Sequence, residues 1–229
     1  LDLPPAYRPI FAQQSELWVN AYGGIRPDVA YTGLLTFGAE LDFDAAGWIE
    51  GGRLGIVGLG VQGDNISTLA VGDAGVASNI AGVSTVRLFR AWYEQRFAAV
   101  RFKLGIIPLD DDFMALEAAQ LCTKSGFGTA QTEALNTPAP IYPLGSLGAM
   151  AEVMLSASLS LKLGAYDGDA GDPEVHRHIS QLALDGDGGV ILLGELTWRW
   201  RRALQLSLGG FGHVGLARGY AVDTRVRGA

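Results

Sequence analysis

The sequence is poor in the features that usually announce a function. It holds a single cysteine, Cys122, which excludes an internal disulfide and a cysteine-ligated zinc cluster. Charged residues make up only 18% of the chain, below the roughly 25% of ordinary soluble domains. The charge present leans acidic, to a net -7, which argues against nucleic acid as a partner because a phosphate backbone calls for a basic surface. No G-x-S-x-G, Walker or H-E-x-x-H sequence occurs, and His213 has no evident nucleophile partner, so neither an enzyme nor a cofactor is expected. Long apolar runs are missing too. The longest charge-free stretch, Ala134 to Ala151, contains Pro138, Pro140, Pro143, Gly145 and Gly148 and cannot form a membrane-spanning helix. The opening residues LDLPPAYRPIF lack a basic segment followed by an apolar core, so no signal peptide is expected, as for a secreted protein in its mature form.

Glycine, in contrast, is abundant, with 32 residues, and the hydrophobic fraction is 48%. In the stretch GGRLGIVGLGVQGDN, Gly58, Gly60 and Gly63 spell the G-x-G-x-x-G of dinucleotide-binding folds. That fingerprint needs a helix directly after the glycine turn. Only eight residues separate Gly63 from Gly72, and Gly75 and Gly82 follow, which leaves no room for a helix of about three turns. The glycines therefore belong to a strand.

Strand periodicity is strong elsewhere. From Tyr31 to Asp44 the odd positions are Tyr, Gly, Leu, Phe, Ala, Leu and Phe, whereas the even ones are mostly polar; Leu155 to Tyr166 repeats the pattern, with leucine and alanine against serine, lysine and glycine. Nine strands are predicted, near 16–23, 31–44, 52–62, 83–96, 99–107, 146–154, 155–166, 189–200 and 203–213. Several exceed the usual five or six residues. Very short joints near 97–98, 155 and 201–202 and a moderate one at 44–51 alternate with long ones at 63–82, 108–145 and 167–188, with 24–28 as a short exception. Short turns at one end and long loops at the other describe an all-β fold, a transmembrane antiparallel up-and-down β-barrel. The aromatics Phe43, Trp92, Tyr93, Phe97, Trp198 and Trp200 are expected at one rim, as an interfacial girdle. A soluble sandwich core is the competing explanation of such aromatics. On the fifth strand, however, Val100, Phe102, Leu104 and Ile106 face one way and Arg101 and Lys103 the other, which suits a lumen wall.

Residues 76–97, VASNIAGVSTVRLFRAWYEQRF, resemble the carbohydrate-selective porins (OprB-type) of Gram-negative outer membranes. The segment GGIRPDVAYTGLLTFGAELDFDAAGWIEGGRL, then FKLGIIPLDDDF, APIYPLGSLG, LGAYDGD, LLGELTWRW and LGGFGHVG follow in family order. The resemblance covers roughly residues 15–215 and implies a porin of about sixteen strands. The nine predicted here are then similar to its first half, and residues 1–229 form a single barrel domain incomplete on its C-terminal side. It also implies location in the outer membrane, contact with its lipids, passage of small carbohydrates, and assembly as a homo-oligomer such as a trimer or within an envelope complex. Two readings follow: a passive sugar porin, or a partial barrel acting as a scaffold with no transport of its own. An outer-membrane hydrolase ranks third, for want of catalytic motifs.

Sugar passage needs a polar lumen and a constriction rather than a nucleophile. The connection from Pro108 to Gly145, carrying Asp110, Asp111, Asp112, Glu117 and Lys124, is the constriction candidate; the alternative is a loop lying over the barrel mouth. Strand parity points Glu40, Asp42, Arg101, Lys103, Lys162, Glu195 and Arg199 into the lumen. On the fourth strand Arg87 and Arg90 are expected on opposite faces, and Arg90 and Glu94 are the pore candidates. Trp48 reads as a turn-side interface anchor. The acidic stretches DGDAGD (167–172) and DGDGG (185–189) lack calcium-loop spacing and read as exposed turns, and His176 and His178 beside them require no metal.

Overall fold

In the computed structural model, the structure describes residues 6–73, 75–114, 122–124, 139–180, 182, 188–201 and 204–215. Its strands are β1 (Tyr7–Asn20), β2 (Asp28–Asp42), β3 (Gly52–Gly63), β4 (Thr85–Phe97), β5 (Val100–Ile107), β6 (Ser146–Ser156), β7 (Leu159–Asp167), β8 (Val190–Trp200) and β9 (Leu204–Val214). They form one sheet in sequence order, every neighbouring pair antiparallel. A meander of this kind follows from the short joints, since only antiparallel neighbours can be linked by two-residue turns. The sheet is open: among the described residues β1 and β9 are its two edges. No described helix is long and apolar enough to cross a membrane.

The expected strands are found with two shifts. β1 begins at Tyr7, well before the predicted residue 16. Pro9 and the polar run around Gln13 hide it in the sequence, and both are tolerated because an edge strand leaves one row of backbone groups unpaired. The joint expected at 155 falls later: β6 runs on to Ser156, Leu155 drops out of register as a bulge, and the turn at 157–158 precedes β7. The dyad survived that break because the bulge and turn together preserve the alternation.

Register sorts the side chains onto two faces. Opposite partners such as Leu41 and Leu54, Tyr93 and Leu104, and Leu161 and Leu196 share one face. It is apolar yet open, with Ile56 53%, Leu104 54% and Leu208 77% exposed. Covering each such side chain with hydrocarbon is worth about 2 kcal/mol, so this face suits lipid. On the other face Glu40 neighbours Gly55, Glu94 neighbours Lys103, and Lys162 neighbours Glu195; described parts of the long connections pack onto portions of it. Ile66, just before the π-helical turn Ser67–Val71, and Ala70 on it pack with Ala30 and Trp18. Ile80 and Tyr142 pack with Leu34, Leu59, Val61 and Phe89. The Tyr142 hydroxyl donates to the Ile80 carbonyl at 2.7 Å, and Asn79 Nδ2 donates to the Cys122 carbonyl at 2.9 Å. The 64–84 and 108–145 connections are thereby tied together over the inner face.

The aromatic rim is found in part. Phe43 lies 5.8 Å from Trp48 and 6.2 Å from Tyr93, ring to ring, and Phe97 6.4 Å from Phe102; Trp198 and Trp200 are exposed. Trp92 is a correction. It pairs with Gly55 and Gly105, on the inner face, and its indole lies over Gly55, where a Cβ would come within 2.5 Å of the ring. Adjacent Tyr93 takes the rim position that parity denies Trp92. In proteins keeping one tryptophan and phenylalanine at the others, lipids brominated on their acyl chains should quench Trp198 or Trp200 strongly and Trp92 little. Equal quenching of all three would contradict the assignment of faces.

Candidate functional site

At the middle of the inner wall, alternation and register bring opposite charges together across five strands. Glu94 on β4 is opposite Lys103 on β5, Arg101 is opposite Glu152 on β6, Glu152 opposite Lys162 on β7, and Lys162 opposite Glu195 on β8. Arg101 is the hub. Its guanidinium reaches Glu94 and Glu152 at 3.1 Å and Asp112 at 3.2 Å. Such a row is favourable because directly opposed side chains of unlike sign neutralise each other where solvent is scarce.

The chain after β5 folds onto this row. Pro108 ends the ladder, lacking an amide hydrogen to continue it, and Leu109–Asp111 form a 3-10 turn. Leu109 donates its amide to the Pro140 carbonyl at 2.8 Å. Asp112 takes Lys103 Nζ at 2.8 Å, while its backbone carbonyl takes Lys162 Nζ at 2.6 Å. Asp111 accepts from Arg90 and lies 3.9 Å from Lys103. Phe113 is fully buried, edge-on to Tyr166 with centroids 6.2 Å apart. The Met114 amide donates to Glu195 at 2.8 Å, with Met114 held at φ 55, a left-handed conformation uncommon outside glycine. Burial pushes the Asp111 carboxyl up to about 6, against the opposing pull of Arg90 and Lys103. Burial acts on Asp112 in the same sense, but Lys103 and Arg101 together hold its carboxyl below the usual carboxylate range.

Arg87 and Arg90 are not on opposite faces. Val57 pairs with Arg90 but Gly58 pairs with Leu88, so Phe89 is an extra residue, a β-bulge, and both arginines point inward. Beyond the bulge β4 has outrun its β5 partner, whose pairing stops at Ala91. The 168–189 connection supplies the missing contacts. The Leu88 amide donates to the His178 carbonyl at 2.8 Å, the Thr85 hydroxyl to that of Arg177 at 3.1 Å, and Arg87 Nη2 to that of His176 at 3.0 Å.

Of the residues expected from the sequence, Arg90, Glu94, Arg101, Lys103, Lys162, Glu195, Asp111 and Asp112 meet in one cluster. Asp110 accepts the Tyr142 amide at 3.4 Å beside it. Three others share the inner face but stand apart, towards the short turns: Glu40 pairs with Arg8 at 3.2 Å, Asp42 with Arg53 at 3.1 Å, and Arg199 meets Gln205 at 3.2 Å. Lys124 is exposed, and Glu117 lies outside the described residues. Glu152, Arg96, Phe113 and Tyr166 belong to the site and were missed. The alternation Gly148, Met150, Glu152 would have found the first; the two rings announce themselves only through their partners. In DGDAGD, Asp167 and Asp169 accept backbone amides two residues on, at 3.2 and 2.9 Å, as turn-forming aspartates do.

A two-faced antiparallel wall, apolar outside and charge-paired inside, with a connection folded onto its inner face, defines the porin class of protein. The chain belongs to the carbohydrate-selective porin, OprB family, whose sequence model matches residues 26–223. Among solved structures it is similar to the high-pH structure of Pseudomonas putida OprB, with 19% identity and a TM-score of 0.77 over 90% of this chain and 52% of that one. The low-pH structure of the same porin gives 14% identity and a TM-score of 0.52 over 90% and 55%. At these identities the likeness concerns the fold. The chain thus spans about half the length of the solved porin it matches. No curated protein matches it.

Replacing Arg101 with glutamine would strand Glu94, Asp112 and Glu152 in partly dehydrated positions. The expected loss of stability is about 2 kcal/mol, read from unfolding in detergent by urea, with Arg101→Lys losing less. An unchanged unfolding midpoint would show that Arg101 does not organise the cluster.

Proposed function

We propose that the chain forms much of the wall of an outer-membrane porin that passes small neutral sugars down their gradient, without cofactor or energy input. The observation that carries this reading is the inner cluster, in which Arg90, Arg96, Arg101, Lys103 and Lys162 lie among Glu94, Asp111, Asp112, Glu152 and Glu195. Near-balanced charge gives neither ion sign an advantage, while its donors and acceptors replace water around hydroxyls. Diffusive passage calls for no nucleophile, so transport and not catalysis is the activity.

Two open edges expose unpaired backbone groups that lipid cannot satisfy. Further strands must therefore complete the barrel, and the family and the half-length match to a solved porin support a continuation of the same polypeptide. The segment from Leu109 to Met114 narrows the lumen in this reading, and Glu40, Asp42 and Arg199 line its turn-side vestibule. A scaffold without transport is the second reading, favoured by the open edges alone.

Swelling of liposomes carrying the intact protein tests the assignment. Glucose should enter faster than gluconate or lysine at equal concentration; no swelling with any solute would favour the scaffold, and faster entry of either ion would refute selectivity for neutral solutes.

Asp111 supplies a pH signature. As pH falls through about 6 its carboxylate takes up a proton and the lumen loses one negative charge, while Asp112, held lower by Lys103 and Arg101, stays ionised. Reversal potentials in a salt gradient should shift towards anion preference across that window. Asp111→Asn should show the low-pH value throughout, and a step retained in that variant would assign the titration to another group.

A further inference from the structure

We infer that Phe113 is the positioning residue of the pore, the anchor that sets where the acidic segment stands across the lumen. This rests on the porin reading above. The charge contacts of the segment leave it latitude, because Lys103, Lys162 and Arg101 end on long flexible stems that can follow a carboxylate by an ångström or more. Packing leaves none. Two inward positions on adjacent strands, Gly148 and Gly164, lack a side chain, and each space is filled by a ring. Tyr166 lies against Gly148, and the Phe113 ring covers Gly164, where a Cβ would stand 2.7 Å from the ring. The two rings meet edge to face, and Ile107, Leu109, Met150, Ile191 and Leu193 close the cluster around them.

The wall thus carries a socket shaped for one ring, and the ring comes from the connection, not from a strand. On either side of Phe113 the backbone of the segment meets wall side chains, the Asp112 carbonyl accepting from Lys162 and the Met114 amide donating to Glu195. With its ring seated in the socket, Phe113 determines how closely Asp111 and Asp112 lie against the wall. Those two carboxylates are ion-paired with Arg90, Arg101 and Lys103 on the wall, with Asp110 and Glu94 nearby, so the depth at which the segment lies against the wall sets how much of the lumen is left for sugars.

The test uses the intact protein with three variants: Phe113→Ala, Phe113→Leu, and Phe113→Ala combined with Leu193→Phe, since Leu193 stands opposite Gly164 on β8 within the same cluster. The last refills the socket from the wall side and leaves the segment unanchored. Single-channel conductance, swelling rates with mono- and disaccharides, and the thermal midpoint are read for each. The inference expects Phe113→Ala to raise conductance at least twofold and to erase the difference between sugar sizes, with Phe113→Leu close to the original. The double variant should regain the thermal midpoint but keep the raised conductance. Restoration of both quantities in the double variant would mean that the ring only fills space, and unchanged conductance in Phe113→Ala would equally overturn the inference. Should Phe113→Ala fail to fold, the double variant decides alone, by high conductance for the anchor and original conductance against it. Absence of conductance in the original protein would instead overturn the porin reading and this inference with it.

Discussion

The constraint on which this structure depends is that a strand in a membrane wall has two sides facing incompatible solvents while its backbone must be satisfied by its neighbours. Antiparallel pairing meets the backbone requirement from β1 to β9, and the pairing then fixes which side chains stand opposite one another. Once Leu104 stands beside Tyr93 on the outside, Lys103 must stand beside Glu94 on the inside. The charge row is therefore a consequence of register: a slip of one residue would send Arg101, Lys103 and Lys162 into the apolar face.

Partial dehydration makes that row both costly and useful. An unpaired charge beneath the folded-in segment would lose water without compensation, so each cation of the row is matched by a carboxylate from a neighbouring strand or from the segment itself. Asp111 and Asp112 are drawn onto the wall by the same cations that Glu94, Glu152 and Glu195 already approach. The long connections belong to the same logic. Residues 64–84 and 139–144 bury apolar side chains against the inner face near the strand ends, and the 168–189 connection pairs with β4 where β5 has ended. Apolar packing thus gathers towards the loop ends of the strands, and the polar cluster lies below it.

Much of this was legible in the sequence because a period of two carries facial information directly. Glu40, Asp42, Arg101, Lys103, Lys162, Glu195 and Arg199 could be assigned to one face from alternation alone, and the structure places them together on the inner face. Failures occur where something other than period two decides. One extra residue at Phe89 inverts parity for the rest of β4, and nothing local in TVRLFRAW marks it. Trp92 looks like a rim aromatic until its neighbour across the ladder is known to be Gly55. Phe113 could not be found at all, since its role is written into Gly148 and Gly164, distant in sequence. Glycines in strands signal close approach, but which ring approaches is a tertiary fact.

The central claim is that one side of each strand meets lipid and the other an aqueous lumen. Nitroxide labels at successive positions of β8 test it most directly, by comparing collision rates with oxygen, which partitions into lipid, and with a water-soluble nickel chelate. The account predicts that positions 196 and 198 favour oxygen and that positions 197 and 199 favour the chelate or are shielded from both. A uniform preference along the strand, or the inverse alternation, would contradict the two-faced wall and every assignment built on it.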